Sequence, residues 1–162
     1  MPIAFIGLGS NQAQPQQQLQ LALRQIDELP HTRLLAQSSL YASAPIGYLD
    51  QPDFVNAVAK VETNLSPHDL LHALLAIEQQ HGRERTFRNA PRTLDLDVLL
   101  YAQMQHHEPH LTVPHPQMHL RAFVLQPLLE IEPNCQIPVV GSARDALQNC
   151  HGQRLEKLAG VA

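Results

Sequence analysis

The sequence predicts an α/β protein in which helices pack against one open sheet. Segments with strand-like patterns are interspersed with segments of helical periodicity, which is typical of this class. The chain has 162 residues, of which 44% are hydrophobic and 16% are charged. A chain of this length usually folds as one unit around its own core. Because the sequence has neither an internal repeat nor an inter-domain linker, we expect a single catalytic domain over residues 1–162.

Four segments have the patterns of strands: residues 3–10, 33–42, 54–63 and 93–101. The first is a short apolar run that ends in small residues, which is typical of a buried strand. In the third, Val55, Ala57, Ala59 and Val61 alternate with Phe54, Asn56, Val58 and Lys60. In the fourth, alternate residues predict one unbroken apolar face, formed by Leu94, Leu96, Val98 and Leu100.

Four helices are expected between and after these strands. The first begins at Pro15, and its apolar residues recur at helical spacing: Leu19, Ala22, Leu23, Ile26 and Leu29. The second has Ser66 as its N-cap and ends near Gly82. A third covers residues 117–131 with an interruption at Pro127. The last is expected to begin at Ser142 and to end near Leu158. Residues 43–53 and 83–92 are expected to be loops, and the His-rich residues 105–110 a polar connection.

Composition excludes several classes of function. A net charge of −4 argues against a general nucleic-acid-binding protein, which is usually basic. No apolar run is long enough to span a membrane, and the first residues lack the basic region of a signal peptide. Two cysteines are too few for a disulfide scaffold. We therefore expect a cytoplasmic monomer without nucleic-acid or membrane partners.

Arginines are concentrated in one polar segment of this acidic chain. Arg83, Arg85, Arg88 and Arg92 lie within ten positions, and Arg121 follows later. Guanidinium groups match the geometry of phosphate oxygens, so this segment could bind a compact anion, although a solvated loop is an equal alternative. The usual phosphate motifs are absent, because Gly7-Leu8-Gly9 lacks the third glycine of a dinucleotide fingerprint and no P-loop lysine occurs.

Two carboxylates on the fourth strand are the most specific functional signal that the residues themselves give. Asp95 and Asp97 project from the same face, with α-carbons about 6.6 Å apart. Like charges so placed repel each other unless a cation lies between them. Oxygen ligands on a rigid strand suit Mg²⁺, which binds one or two carboxylates together with substrate phosphates. The alternative is a pair of solvent-facing aspartates on an amphipathic strand.

Other candidate residues could bind a ligand or have only a structural or surface role, and the sequence leaves both possibilities open. Glu78 could accept hydrogen bonds from a nucleotide sugar or an arginine, or lie on the helix surface. His115, between Pro114 and Pro116, could donate to a phosphate or be incidental. Phe54, Asn56 and Phe123 suit a flat heteroaromatic ligand, or belong to the core. His106, His107 and His110 are expected to be a polar surface segment rather than a metal site.

Several of these segments, in this order, resemble the 6-hydroxymethyl-7,8-dihydropterin pyrophosphokinases of folate biosynthesis. The resemblance runs from about residue 3 to about residue 132. Its most specific parts are Pro91-Arg92-Thr93-Leu94-Asp95-Leu96-Asp97 and the later Leu111-Thr112-Val113-Pro114-His115. The other parts are Gly9-Ser10-Asn11, Gln51-Pro52-Asp53-Phe54-Val55-Asn56, Glu78 with Gly82-Arg83-x-Arg85, and Arg121-x-Phe123.

The resemblance implies a ferredoxin-like α/β (α+β) fold, with a mainly antiparallel central sheet flanked by helices. It also implies transfer of the β,γ-pyrophosphoryl group of ATP to the pterin hydroxymethyl group, with release of AMP. It implies two Mg²⁺ ions bound by Asp95 and Asp97. The resemblance assigns catalytic roles to Arg83, Arg92, Asp95 and Asp97. The implied ATP site comprises Glu78, Arg83, Arg85, Arg92, Val98, Leu111, Thr112, His115 and Arg121. The implied pterin site comprises Ser43, Ala44, Ile46, Phe54, Asn56, Asp95 and Phe123.

The chain departs from the family pattern at three positions. Asn89 stands where many members carry a tryptophan, Pro116 replaces a side chain that can reach phosphates, and Ala44 replaces a proline of some relatives. Two other functions are less consistent with the sequence. A metal-dependent phosphoesterase would use Asp95, Asp97 and His115 but needs further ligands, and an RNA- or nucleotide-binding module would need more exposed aromatic residues.

Overall fold

The computed structural model describes residues 1–12, 14–44, 52–81 and 94–158. The predicted arginine loop over 83–92 and most of the predicted loop over 43–53 lie outside these residues. The residues discussed above that are therefore not described are Ile46, Gln51, Gly82, Arg83, Arg85, Arg88, Asn89, Pro91, Arg92 and Thr93. In the described part of the chain, no helix is long and apolar enough to cross a membrane.

The described chain contains helices, strands and one 3₁₀ turn. The helices are α1 (Pro15–Asp27), α2 (Pro67–Gln80), α3 (Ala122–Ile131) and α4 (Ala143–Gln148). The strands are β1 (Ile3–Ser10), β2 (Thr32–Gln37), β3 (Tyr41–Ser43), β4 (Phe54–Thr63), β5 (Asp95–Tyr101), β6 (His106–Glu108), β7 (Leu111–Val113), β8 (Gln136–Ile137), β9 (Gly141–Ser142) and β10 (Leu155–Lys157). The 3₁₀ turn is Met118–Leu120.

The main sheet is antiparallel, with strand order β10-β3-β4-β1-β5 and β2 also paired with β4. The ten-residue β4 lies along β1 on one side, while on its other side it pairs first with β3 and then with β2. The single strand expected over residues 33–42 is therefore wrong: it is divided into β2 and β3. At the break, Ser38 is joined to β4 by two hydrogen bonds of 2.9 Å, from Ser38 N to Val58 O and from Val58 N to Ser38 Oγ.

The sheet has a hydrophobic core on each face. On one face, α1 and α2 pack through Leu19, Ile26, Leu70 and Leu74. On the other face, Phe5 and Val58 pack against Leu125 and Leu128 of α3 and Ala143 of α4. This arrangement agrees with the predicted α+β class of a mainly antiparallel sheet flanked by helices. Ser66 caps α2 as predicted, since its Oγ accepts a hydrogen bond from Asp69 N.

The apolar face predicted for the fourth strand is interrupted by a β-bulge. The pairing with β1 shifts, so that Ile6 faces Val98 while the adjacent Phe5 faces Leu100. One extra residue is accommodated in β5, and the side-chain alternation changes there. Leu94, Leu96 and Val98 pack in the first core as expected, but Leu100 packs in the second with Leu99.

Three further expectations are corrected toward the C-terminal end. The His-rich connection contains β6, which pairs with β7 in a hairpin. Pro127 lies inside α3 and does not end it; the helical segment is interrupted at Arg121, whose backbone is extended. The last helix ends at Gln148, and β10 then joins the main sheet beside β3. Such long-range strand pairing overrides local helical periodicity.

Candidate active site

The adjacent strands β4, β1 and β5 present a row of facing residues on one side of the sheet. Gly9 of β1 pairs with Asn56 of β4 and with Asp95 of β5. Gly7 is likewise paired with Asp97. Because paired residues project from the same face, the amide and the two carboxylates lie around a strip that carries no side chain. Asn56 and Asp95 are two strand spacings apart, about 10 Å.

The two glycines leave room above β1. A β-carbon at position 9 would lie 3.0 Å from Asn56 Nδ2, and one at position 7 would lie 3.3 Å from Leu99 Cδ2. A side chain at Gly9 would therefore press directly on the amide. On sequence grounds the two glycines belonged to an incomplete dinucleotide motif, and Gly9 also to the family resemblance. That they leave the surface of β1 open depends on strand register, which local sequence does not reveal.

A cleft of about 200 Å³ lies between this strip and the beginning of α3. A water molecule occupies ~30 Å³ of the liquid, so the cleft is suited to a small molecule rather than to a single ion. Eight residues that were predicted for the site from sequence line the cleft: Ser43, Ala44, Phe54, Asn56, Asp95, Asp97, Arg121 and Phe123. The fold thus brings together residues that are separated by as many as 80 positions in the chain.

One part of the cleft is aromatic and apolar. Phe54 from β4 and Phe123 from α3 contribute rings, and Leu99 and Val124 contribute aliphatic surface. The Arg121 guanidinium carbon lies 5.6 Å from the centre of the Phe123 ring, which is within the range of a cation–π interaction. A flat ring system would find apolar surface here with a cation beside it.

A buried polar pair lies beside this aromatic part. Ser43 Oγ donates a hydrogen bond of 2.6 Å to Asn56 Oδ1. Ser43 and Asn56 are 4% and 5% exposed, so both side chains are held out of bulk solvent. Because the amide oxygen of Asn56 is engaged by the hydroxyl, the amide nitrogen is the group of Asn56 that can donate to a ligand.

The residues that β5 contributes to the cleft include two carboxylates. Asp95 is half-buried and Asp97 is exposed, and both lie on β5 facing the cleft. The donor set consists of hard carboxylate oxygens from a strand held rigidly against β1. This chemistry fits Mg²⁺ and not a thiolate- or imidazole-seeking ion.

Glu78 supports the strand that carries these carboxylates. The glutamate is 2% exposed, and its Oε2 accepts a hydrogen bond of 2.7 Å from Leu96 N. Leu96 lies between Asp95 and Asp97 on the edge strand of the sheet, where backbone N–H groups lack a further strand to pair with. The alternative of a helix-surface glutamate is therefore wrong, and a contact with ATP stays a prediction.

His115 does not line the cleft itself but lies near two predicted residues that do, Asp97 and Arg121. Its Nδ1 accepts a hydrogen bond of 3.1 Å from Gln117 N, and its backbone N donates to Leu99 O. Burial lowers the pKa of His115, the nearby Arg121 cation lowers it further, and the Asp97 carboxylate opposes both effects. The ring is therefore held neutral between a cation and an anion, with Nε2 able to donate.

Other residues of the predicted ATP site do not line the cleft. The side chains of Val98 and Leu111 pack in the first core, so a contact with a ligand would come from their backbones. Thr112 Oγ1 donates to Glu108 O at 3.0 Å within the β6–β7 hairpin. Their assignment to ATP stays a prediction, as do the roles of Ile46, Arg83, Arg85 and Arg92 outside the described residues.

Gln153 is a supporting residue that the sequence analysis missed. Its Oε1 accepts from Ala122 N and its Nε2 donates to Leu120 O, each at 2.8 Å. The amide therefore brackets Arg121 at the start of α3. Next to it, Arg154 Nη2 lies 2.8 Å from Asp53 Oδ2, which joins the C-terminal segment to the start of β4. Neither contact has a local sequence signal, because the partners are 31 or more positions apart.

Comparison with known proteins points to one family. The model of the family 7,8-dihydro-6-hydroxymethylpterin-pyrophosphokinase (HPPK) matches residues 5–133. A Pseudomonas aeruginosa 2-amino-4-hydroxy-6-hydroxymethyldihydropteridine pyrophosphokinase is 48% identical over 157 residues, which cover 97% of each chain. The protein of the same name from Haemophilus influenzae is 50% identical over 138 residues, 85% of this chain and 86% of that one.

Solved structures confirm the fold. A Plasmodium falciparum HPPK-DHPS, solved with pterin and p-hydroxybenzoate, has a TM-score of 0.72 and 14% identity to this chain. The match covers 91% of this chain and 43% of that one, so the chain spans less than half of the longer protein. At this identity the likeness shows the fold alone, which is the ferredoxin-like α/β fold expected from the sequence. Because the family model spans most of its length and two relatives are 48% and 50% identical to it, the chain belongs to the 7,8-dihydro-6-hydroxymethylpterin-pyrophosphokinase family.

Proposed function

We propose that the cleft between Asn56 and Asp97 is where this chain carries out the reaction of its family. The chain is an ATP-dependent pyrophosphokinase of folate biosynthesis, and it transfers a pyrophosphoryl group to 6-hydroxymethyl-7,8-dihydropterin. The observation that supports the location is the lining of the cleft, with Phe54 and the buried Asn56 amide on β4 and two carboxylates on β5, across the glycines of β1.

In this proposal the pterin ring lies between Phe54 and Phe123. Ring stacking on aromatic side chains favours a flat heterocycle, and the Asn56 amide nitrogen would donate to one of its acceptors. Ser43 keeps the Asn56 amide in the orientation that presents Nδ2 to the ligand. The hydroxymethyl group would then extend across Gly9, where no side chain obstructs it, toward Asp95.

The triphosphate would lie beside the two carboxylates of β5. Asp95 and Asp97 would hold Mg²⁺, and we propose two ions, with ATP supplying further oxygen ligands. When bound, the metal neutralises phosphate charge and withdraws electron density from the reacting phosphorus. Arg121 and His115 Nε2 would donate to phosphate oxygens, and Arg83 and Arg92 would stabilise the departing charge.

The transfer itself needs no covalent enzyme intermediate. The hydroxymethyl oxygen attacks the β-phosphorus of ATP, the bond from that phosphorus to the oxygen bridging to the α-phosphate breaks, and AMP leaves with the bonding electrons. The hydroxyl proton is lost in the same step, and Asp95 or Asp97 is the nearest base among the described residues that line the cleft. Holding both substrates in line supplies much of the acceleration.

We also propose that the chain acts as a cytoplasmic monomer. Cys135 and Cys150 are free thiols, which is usual in a reducing compartment. Sedimentation of the purified protein tests the monomeric state.

An assay of all products tests the function. The purified chain is incubated with Mg²⁺, ATP and 6-hydroxymethyl-7,8-dihydropterin, and nucleotides and pterins are separated by chromatography. The proposal predicts AMP and pterin pyrophosphate in equal amounts, with neither formed when Mg²⁺ is removed by a chelator. Release of ADP or phosphate would instead indicate a phosphatase-like reaction, and the absence of any product would leave a binding module.

A further inference from the structure

Three side chains with metal-ligating atoms converge on the side of the molecule where α2 begins. His68 is the second residue of α2, and His106 and Glu108 project from the same face of β6. The three residues lie 38 to 40 positions apart between helix and strand, and the β6–β7 hairpin brings them together. None of them lines the cleft described above.

The ligating atoms are already close to one another. His68 Nε2 lies 3.0 Å from Glu108 Oε2, and His106 Nε2 lies 2.7 Å from Glu108 Oε1. One ligating atom from each of the three side chains lies within 4.8 Å of the others. The two imidazole rings meet edge to face, with centroids 5.6 Å apart. Both rings therefore direct a nitrogen toward the same carboxylate.

These separations are near those of a tetrahedral zinc site. Zinc binds imidazole nitrogen and carboxylate oxygen at about 2.0–2.1 Å, which places neighbouring tetrahedral ligands ~3.3 Å apart. Small side-chain rotations would bring the three atoms to this spacing, because each side chain is partly solvent-exposed: 51% for His68, 33% for His106 and 43% for Glu108. The same exposure gives an ion access from solvent and leaves a coordination position for water.

We propose that His68, His106 and Glu108 bind a borderline divalent transition ion such as Zn²⁺, which then joins the start of α2 to β6. The chemistry separates this site from Asp95 and Asp97. Two imidazoles and one carboxylate favour Zn²⁺ and similar ions, whereas an all-oxygen pair suits Mg²⁺. His106 was expected in a polar surface segment, because its partner imidazole, His68, lies on α2 and is 38 positions away in the sequence.

A zinc titration tests this site. Zn²⁺ is titrated into the full chain against a chromogenic chelator, without nucleotide and with Mg²⁺ in large excess to occupy the carboxylate site. We expect one Zn²⁺ per chain, with affinity at least tenfold weaker in His68→Gln and in His106→Gln. His110→Gln changes an exposed histidine of the same hairpin outside the cluster and serves as the matched control. Thermal melts without zinc verify that all variants fold.

A second readout identifies the ligands. Cu²⁺ added at one equivalent should give an electron paramagnetic resonance spectrum with hyperfine coupling to two imidazole nitrogens, reduced to one in His106→Gln. Zn²⁺ should also raise the Tm of the wild type and of His110→Gln but not of His68→Gln, because only a folded site binds the ion. Loss of zinc binding in Asp97→Asn with retention in both histidine variants would overturn the proposal. So would the absence of zinc binding by the wild type.

Discussion

Ser43 Oγ donates a 2.6 Å hydrogen bond to the side-chain oxygen of Asn56, and the two buried residues come from adjacent strands. The contact determines which end of the Asn56 amide faces the cleft. The polar specificity of the site therefore depends on a residue that need not touch the ligand through its own side chain. Strand β3, which carries Ser43, is in turn held between β4 and β10.

Replacement of Ser43 by alanine should weaken pterin binding. The buried Asn56 oxygen would lose its donor, and an unsatisfied buried polar group costs about 1–3 kcal/mol. We expect the Kd for pterin to rise roughly tenfold, since about 1.4 kcal/mol corresponds to that factor, with little change for ATP. Calorimetric titration with a non-hydrolysable ATP analogue present measures both constants.

Ser142→Ala is the matched control for this change. Ser142 Oγ accepts a hydrogen bond from Asp145 N at the start of α4, away from the cleft. Loss of this helix cap should lower the free energy of unfolding by about 1 kcal/mol while pterin binding is retained. Equal pterin affinity in wild type and Ser43→Ala would show that the hydrogen bond does not orient the site.

A methyl group added at Gly9 should obstruct the cleft. The new β-carbon would lie 3.0 Å from Asn56 Nδ2, and the amide cannot move freely because Ser43 holds it. We expect Gly9→Ala to reduce pterin affinity by tenfold or more. Gly7→Ala should have a smaller effect, because its neighbour at 3.3 Å is the flexible end of Leu99. A larger loss of pterin affinity in Gly7→Ala than in Gly9→Ala would contradict this prediction, since it would make Gly7 the residue that must lack a side chain.

Gln153 should matter for Arg121 although it lies in the C-terminal segment. Gln153→Ala removes two hydrogen bonds of 2.8 Å to the backbone on either side of Arg121. Each such bond contributes about 0.5–1.5 kcal/mol to stability. We expect a fall of about 1–2 kcal/mol in the free energy of unfolding and a severalfold rise in KM for ATP.

Gln126→Ala, on the exposed part of α3, is the control for the Gln153 variant. It changes the same residue type in the helix that Gln153 supports. Urea unfolding and initial-rate assays should leave this variant close to wild type. If Gln153→Ala lowers the free energy of unfolding but leaves the KM for ATP unchanged, the two Gln153 hydrogen bonds support the fold without positioning Arg121.

His81 should make stability depend on pH. His81 Nε2 contacts Gln25 Oε1 at 2.7 Å, and its Nδ1 is paired with Gln18. Burial lowers the pKa of His81 below its usual value of 6.5. Between the lowered pKa and 6.5 the unfolded chain binds more protons than the folded chain, so stability rises with pH through this window and is lost as the pH falls.

Urea unfolding at pH 5.5, 6.5 and 7.5 measures this dependence. His81→Gln should have a smaller increase in unfolding free energy over this range than the wild type, because the titrating group is gone. His151→Gln, which changes an exposed histidine, should retain the wild-type increase. An unchanged slope in His81→Gln would assign the pH dependence to other groups.

Local patterns predicted much of this fold. The alternation in β4 placed Val55, Ala57, Ala59 and Val61 on one face, and they pack together in the first core. Ser66 and Pro67 correctly indicated the start of α2. These predictions succeeded because period and capping are properties of neighbouring residues. Among the cleft-lining residues, Asp95 and Asp97 were indicated by their spacing on one strand face, whereas Ser43 and Ala44 were identified only through the family resemblance, which carries information about distant parts of the chain.

Features that depend on long-range pairing were not predictable in the same way. The bulge that moves Leu100 to the other core follows from the register of β5 against β1. The pairing of β10 with β3 and the clamp by Gln153 join segments more than 30 positions apart. The His68–His106–Glu108 cluster likewise needs the β6–β7 hairpin to approach α2. No short stretch of sequence contains both partners of any of these contacts.

In the proposed reaction, the β5 carboxylates bind the metal that the transfer needs. AMP release at saturating Mg²⁺ is compared among wild type, Asp95→Asn, Asp97→Asn and the control Asp145→Asn, whose residue lies in the first turn of α4. Turnover should fall by orders of magnitude in the first two variants and stay normal in the control, because asparagine keeps the size but removes the charge. Thermal melts without ligand should show Asp97→Asn as stable as wild type, within about 0.5 kcal/mol. Near-normal AMP release from both β5 variants would contradict the account.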